Sequence, residues 1–284
     1  GNKVLCTVHK DGSVSVEDNG RGMPVGIHKE TKRPAAETIM TTLYSGGKFE
    51  NKNYKTSSGL HGIGVSAVNF LSEKLDLTIW REDFTWKQSY SKGRPTTDFI
   101  KDEATTKTGT LVRFKPDHTI FQTVEYQSSI LANRLKELAY LNKGVHIVFH
   151  DERTGATEDY CSNGGIAALV EHINEGKTCR SPVIYFNQEV EVDNKSTNSK
   201  YSVEVEVAFQ YNDTYSDSIL SFANNVNTRD GGSHLTGFKS ALHESVIAFA
   251  EKKKMFKGLP VRPSARDVLE GIVGVISVKL PNPE

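Results

Sequence analysis

The 284-residue chain carries 35 basic and 35 acidic side chains and 37% hydrophobic content, a balance that fits a globular protein with a sizeable core and excludes a globally basic nucleic-acid-binding character. No apolar run approaches the roughly eighteen residues of a membrane span, and no secretory leader pattern opens the chain. Three cysteines, Cys6, Cys161 and Cys179, are odd in number, far apart and without a C-x-x-C, which excludes a disulfide framework or a zinc site and points to a reducing cytoplasm.

In chain order, "KVLCTVH" and "SVSVED" alternate around "KDG" and predict a hairpin with an Asp-Gly turn. "DNGRGMP" (18–24) follows. Ile39, Met40 and Leu43 give "AAETIMTTLYS" (35–45) helical spacing. Residues 45–58 form a polar, glycine-bearing stretch of the length used for lids and binding loops. "IGVSAVNFLS" (63–72) predicts a helix that starts at glycines, then come strands at "KLDLTIW", "TWKQSYS" and "GTLVRFKP". "SSILANRLKELAYL" (128–141) is an amphipathic helix and "GVHIVFH" another strand. The expectation for this half is an antiparallel or mixed sheet with helices on one face.

A domain boundary is expected near "CSNGGIAAL", where two glycines precede a new helix, dividing the chain into 1–165 and 166–284. Beyond it, "SVEVEVAFQYN" (202–212) alternates as a half-buried strand with "SILSFANNVNT" as its partner. "HLTGFKSALHESVIAFAEKK" predicts a long helix and "EGIVGVISVKL" a fully buried strand. The second region is therefore a small α+β domain with a crossover helix.

Two stretches carry chemistry. Asp18, at a strand end and followed by Gly20 and Gly22, can accept hydrogen bonds from a ligand amine while the backbone passes close to a flat ring. Adenine's exocyclic amine fits, although for "DNG" taken alone a plain Asx-turn ranks ahead of it. "GLHGIG" (59–64) can set backbone amides and a helix start around a phosphate. It matches neither a P-loop nor a strand-following G-x-G-x-x-G.

"DNGRGMP", "GGKF", "GLHGIG" and "TGTLVRF", followed by "NKGV", "TRDGGSHLTGFKSAL" and "SVKLPNP", stand in an order that resembles one family over essentially the whole chain. It is the ATPase region of the B subunits of bacterial DNA gyrase and topoisomerase IV, in the superfamily of histidine kinases and heat-shock chaperones. The resemblance implies a two-layer α/β sandwich that binds ATP, then a smaller α+β transducer domain of the ribosomal-protein-S5-like type.

It further implies that Asp18 holds the adenine amine, with Gly22 and Thr110 completing the network. Met23 and Pro24 form apolar floor and wall, and Arg81 closes the mouth. Lys48 and Tyr54 belong to a lid, and Leu60, His61, Gly62, Ile63 and Gly64 line the phosphates largely through backbone amides. His61 has no proton-transfer role in this reading. Asp230 and His234 in "RDGGSH" resemble catalytic residues, but "DGG" is a turn signal and favours a structural role for both.

By the same resemblance, ATP and Mg2+ are the cofactors, and a gyrase A-type or topoisomerase IV A-type subunit and DNA are the partners. The region homodimerises when ATP is bound, and hydrolysis drives passage of one duplex through another. The catalytic glutamate and the magnesium-ligating asparagine are expected upstream of Gly1, and the lysine that reaches the γ-phosphate downstream of Glu284. The stretch itself is thus expected to hydrolyse ATP poorly. The alternatives are a chaperone or kinase of the superfamily, or a module that only binds nucleotide or inhibitor.

Overall fold

A computed structural model describes residues 1–43, 62–194, 199–258 and 261–281. It divides into two compact units, with the change between Asn163 and Gly164. In the first, β1 (Lys3–Val8) and β2 (Val14–Asp18) form the expected hairpin, with Val8 opposite Val14. Gly12 takes φ +79° in the turn, and Asp11 accepts hydrogen bonds from both the amide and the hydroxyl of Ser13. Two short helices follow, α1 (Ala35–Thr41) and α2 (Gly64–Phe70). The predicted 45–58 stretch lies outside the described residues.

The strands β3 (Ser72–Arg81), β4 (Phe84–Ser91), β5 (Arg94–Pro95), β6 (Ile100–Ala104) and β7 (Gly109–Pro116) come next. Helix α3 (Ser128–Leu141), β8 (His146–Asp151) and β9 (Ala156–Cys161) complete the unit. The sheet runs β5-β4-β3-β7-β2-β1-β8-β9, with β6 also on β4. It is mixed because β1 and β8 are parallel while their neighbours are antiparallel. The short strands β5, β6 and β9 have no apolar alternation and were not anticipated.

One sheet face is apolar. Leu75, Leu77, Ile79 and Tyr90 pack with Ala36 and Met40 of α1 and against Val65 and Val68 of α2. Further along, Cys6, Val8, Val14 and Phe149 pack with Ala132, Leu131 and Leu135 of α3. Burying such side chains contributes about 1.5–3 kcal/mol each, which holds the helices on this face. The opposite face bears paired charges, among them Lys87 with Asp102, Lys107 with Glu17 and Arg113 with Asp11. This is the two-layer sandwich that the resemblance implied.

In the second unit, α4 (Gly165–Ile173) leads to β10 (Ile184–Asn194), β11 (Ser199–Tyr211), β12 (Ser218–Ala223) and β13 (Val226–Asn227). Helices α5 (Ser233–Lys252) and α6 (Ala265–Leu269) precede β14 (Ile272–Lys279). The order is β10-β11-β14-β12-β13. β14 lies centrally and is buried along nearly its whole length, as predicted.

Two expectations need correction. β12 is not the partner of β11. It pairs in parallel with β14, and β11 pairs antiparallel with β10 and β14. Nor does β11 keep one solvated face throughout. Val207 and Phe209 pack with Leu235, Phe238 and Leu242 of α5 and Leu269 of α6, while Ala208 and Gln210 on the other face are also buried. Helix α4 packs there, and the side-chain amide of Asn174 just after it donates to Gln210 Oε1 at 2.8 Å. No described helix is long and apolar enough to cross a membrane.

Candidate functional site

The register places Asp18, the last residue of β2, directly opposite Thr110 of β7, and Thr110 opposite Ile79 of β3. Residues paired across a sheet share a face. Ile79 is fully buried beneath α1 and α2, so Asp18 and Thr110 also turn toward the helical layer. Val16, two residues before Asp18 and on the same face, belongs to neither apolar cluster and is 40% exposed. A valine in mid-strand is left open there, with a half-buried carboxylate at the end of the strip.

The loop after β2 is held at every step. Asn19 Oδ1 accepts from the backbone amides of Asn2 and Lys3, at 2.8 and 2.9 Å. Gly20 N–H donates to Asp18 Oδ1 at 2.7 Å, the Asx-turn of the simpler reading. Asp18 Oδ2 has no partner among the described residues, so the turn bond orients the carboxyl and leaves an acceptor free. Met23 N–H donates to Thr110 Oγ1 at 3.2 Å, and Arg81 Nη1 donates to the Gly22 carbonyl at 2.9 Å.

Two glycines are obligatory for this closeness. A Cβ at Gly22, φ +74°, meets the Trp80 carbonyl oxygen at 2.8 Å, and one at Gly109, φ +139°, meets the Asp18 carbonyl oxygen at 1.9 Å. Both obstacles are backbone, which cannot swing aside.

Of the predicted site residues, Asp18, Gly22, Met23, Arg81 and Thr110 come together through these bonds. Met23 packs against the cluster under α1 and α2, and Pro24 is exposed beside it. Arg81 lies at the end of β3 on the helix-covered side, where its guanidinium also faces Glu82 at 3.5 Å. Gly62 (φ +58°), Ile63 and Gly64 lead into α2, whose first-turn amides have no upstream helical partners. Lys48, Tyr54, Leu60 and His61 lie outside the described residues. Sequence reasoning missed Asn19 and Gly109. The glycine before Thr110 in "TGTLVRF" was the available signal.

The one described group with metal-ligand spacing is Glu73, Asp117 and His118. It sits at the other end of β3 from Arg81, and its carboxylates are already matched, Asp117 by Lys92 at 2.8 Å and Glu73 by Lys115 at 3.2 Å. The Lys92 ammonium and the Thr119 amide and hydroxyl hold Asp117 well below the usual carboxylate range. A metal has to displace those cations, so the group reads as an ion-pair network. An open cleft of about 700 Å³ lined by Pro34, Glu37 and residues 95–99 lies at the β5 edge, away from Asp18.

His234, in the second unit, contacts Thr228 Oγ1 at 3.2 Å, and Thr228 in turn contacts Ser221. These contacts tie the β12–β13 hairpin to the first turn of α5. Burial pushes the His234 imidazole below its ordinary pKa.

Comparison with known proteins joins both units. Residues 1–120 match the family described as histidine kinase-, DNA gyrase B- and HSP90-like ATPase, and residues 165–284 match DNA gyrase B. The 43K ATPase domain of Thermus thermophilus gyrase B, solved in complex with an aminocoumarin, is 35% identical with a TM-score of 0.81. The alignment covers all of this chain and 71% of that one. The chain belongs to the gyrase B and topoisomerase IV B family. The DNA gyrase B protein of Haloferax lucentense is 46% identical, and the DNA topoisomerase 4 B protein of Bacillus subtilis 44%, each over 99% of this chain. The chain spans 43% and 41% of those two relatives, less than half of either.

Proposed function

We propose that the first unit binds ATP over the open strip of β2, within the ATPase subunit of a type II topoisomerase. The observation that carries this is the row Asp18–Thr110–Ile79. A carboxylate with one free oxygen stands beside exposed Val16 on a face that is elsewhere covered. Asp18 accepts from the adenine amine, Thr110 and Gly22 complete its polar edge, and Met23 and Pro24 supply apolar contact. Arg81 holds the glycine loop through the Gly22 carbonyl and stands at the mouth. Gly62, Ile63 and Gly64 offer backbone amides to the phosphates, with Leu60 and His61 before them and Lys48 and Tyr54 as lid residues.

Magnesium enters with the phosphates. The described residues supply no ligand set for it, because the Glu73 group is taken up by lysines. In the whole enzyme the nucleotide drives pairing of two such regions, and its hydrolysis drives passage of one DNA duplex through another with an A-type subunit, in the cytoplasm. An inhibitor that occupies the adenine strip acts as an antibiotic. The match of residues 165–284 to the gyrase B family speaks against a kinase or chaperone.

Calorimetric titration of ATP tests the assignment. A hydrogen bond to a charged group contributes about 1.5–3 kcal/mol, so Asp18→Asn weakens binding about tenfold or more. Unchanged affinity in a folded Asp18→Asn protein leaves only the turn reading.

A further inference from the structure

We propose that the outer edge of β10 docks an extended segment of a partner protein in which apolar residues alternate with lysine or arginine. β10 is eleven residues long and ends the sheet, pairing only with β11 among the described residues. Such an edge presents a row of unused backbone donors and acceptors, the template for adding a strand. The other edge, β13, is two residues long.

The side chains specify what fits. On one face Ile184, Phe186 and Val190 are 42%, 44% and 41% exposed, continuing the apolar face of β11. On the other face Glu189, Glu191 and Asp193 stand beside Glu204 and Glu206, with Lys200 facing Glu191 at 3.5 Å and Lys279 reaching Glu204 at 3.3 Å. Acid thus outnumbers base on that face. An added strand meets one apolar and one acidic line at a period of two.

The same charges decide against the obvious alternatives. A second copy pairing antiparallel along β10 brings its own Glu189, Glu191 and Asp193 against these, and like charges across a strand pair are destabilising. DNA is repelled. A basic strand meets complementary charge on every second residue.

The test uses the whole chain and two twelve-residue peptides, one alternating Val with Lys and one alternating Val with Glu, at low salt. Amide hydrogen exchange in β10 slows about fivefold or more with the Lys peptide and not with the Glu peptide, since amides newly bonded in a ladder are protected. Glu189→Lys/Glu191→Lys, both at exposed positions, weakens the Lys peptide about tenfold and recruits the Glu peptide. Equal protection by both peptides, no β10 protection, or unchanged affinity in the double variant overturns the proposal. So does concentration-dependent protection of β10 in the free chain, which assigns the edge to a second copy.

Discussion

Replacing Gly109 by alanine puts a methyl group 1.9 Å from the Asp18 carbonyl oxygen and 2.9 Å from its carbon. It also asks an L-residue to hold φ +139°. The backbone conformation costs about 1–3 kcal/mol and the overlap about 1–3 kcal/mol more, because the obstacle is the neighbouring strand itself. We expect a loss of about 2–6 kcal/mol, a large share of the 5–15 kcal/mol that typically holds a domain together. With a urea m-value of about 2 kcal/mol/M, the midpoint falls by about 1–3 M. The chain's two tryptophans, Trp80 and Trp86, both lie in the first unit, so tryptophan fluorescence reads that unit alone. Gly12→Ala is the matched control: φ is +79° there, but nothing lies within 4 Å of the added Cβ. It carries only the conformational cost, about 1 kcal/mol. If Gly109→Ala lowers the midpoint no more than Gly12→Ala, the close approach of β2 and β7 is not what makes glycine necessary. ATP affinity without urea falls in the same variant, because the added methyl displaces the Asp18 backbone.

Acid weakens the first unit in a defined direction. Ser13 holds Asp11 at about 2, and Asp117 and Asp151 are held well below the usual range by Lys92 and by Arg153 with Ser128. Depressed carboxylates contribute stability that is complete above the unfolded value near 4 and drains as pH falls toward the folded value. The fluorescence-detected urea midpoint therefore declines steadily from pH 5 to pH 2.5, less steeply in Asp117→Asn; a flat profile contradicts the assignment. In the second unit, Asn174→Ala orphans Gln210 Oε1 and the Asn212 amide, both buried. The cost is about 2–4 kcal/mol, seen as a lower far-UV circular dichroism melting point with the tryptophan-detected transition unmoved. Ser277→Ala removes a buried hydroxyl with no partner and leaves that melting point unchanged or raises it by up to about 1 kcal/mol in stability.

The amino-acid sequence by itself determined the local elements whose cause is local. Asp11 and Gly12 turn the first hairpin, the uninterrupted apolar run makes β14 a buried strand, and the 3.6-residue spacing of leucines makes α3 a one-sided helix. It also marked Asp18 and the glycines around it, because their residue types are costly anywhere without a turn or a close approach to justify them. Only the tertiary structure decided which strands pair. Thr110 comes to stand opposite Asp18 across more than ninety residues of chain, and β12 chooses β14 over β11. Alternation shows which side chains of one strand share a face and carries no information about the neighbouring strand or its register. The same limit hid where α4 packs: it buries Ala208 and Gln210 on the face of β11 that its glutamates made look solvated. A single strand's pattern records its average surroundings, while burial on each face is settled by elements distant in sequence.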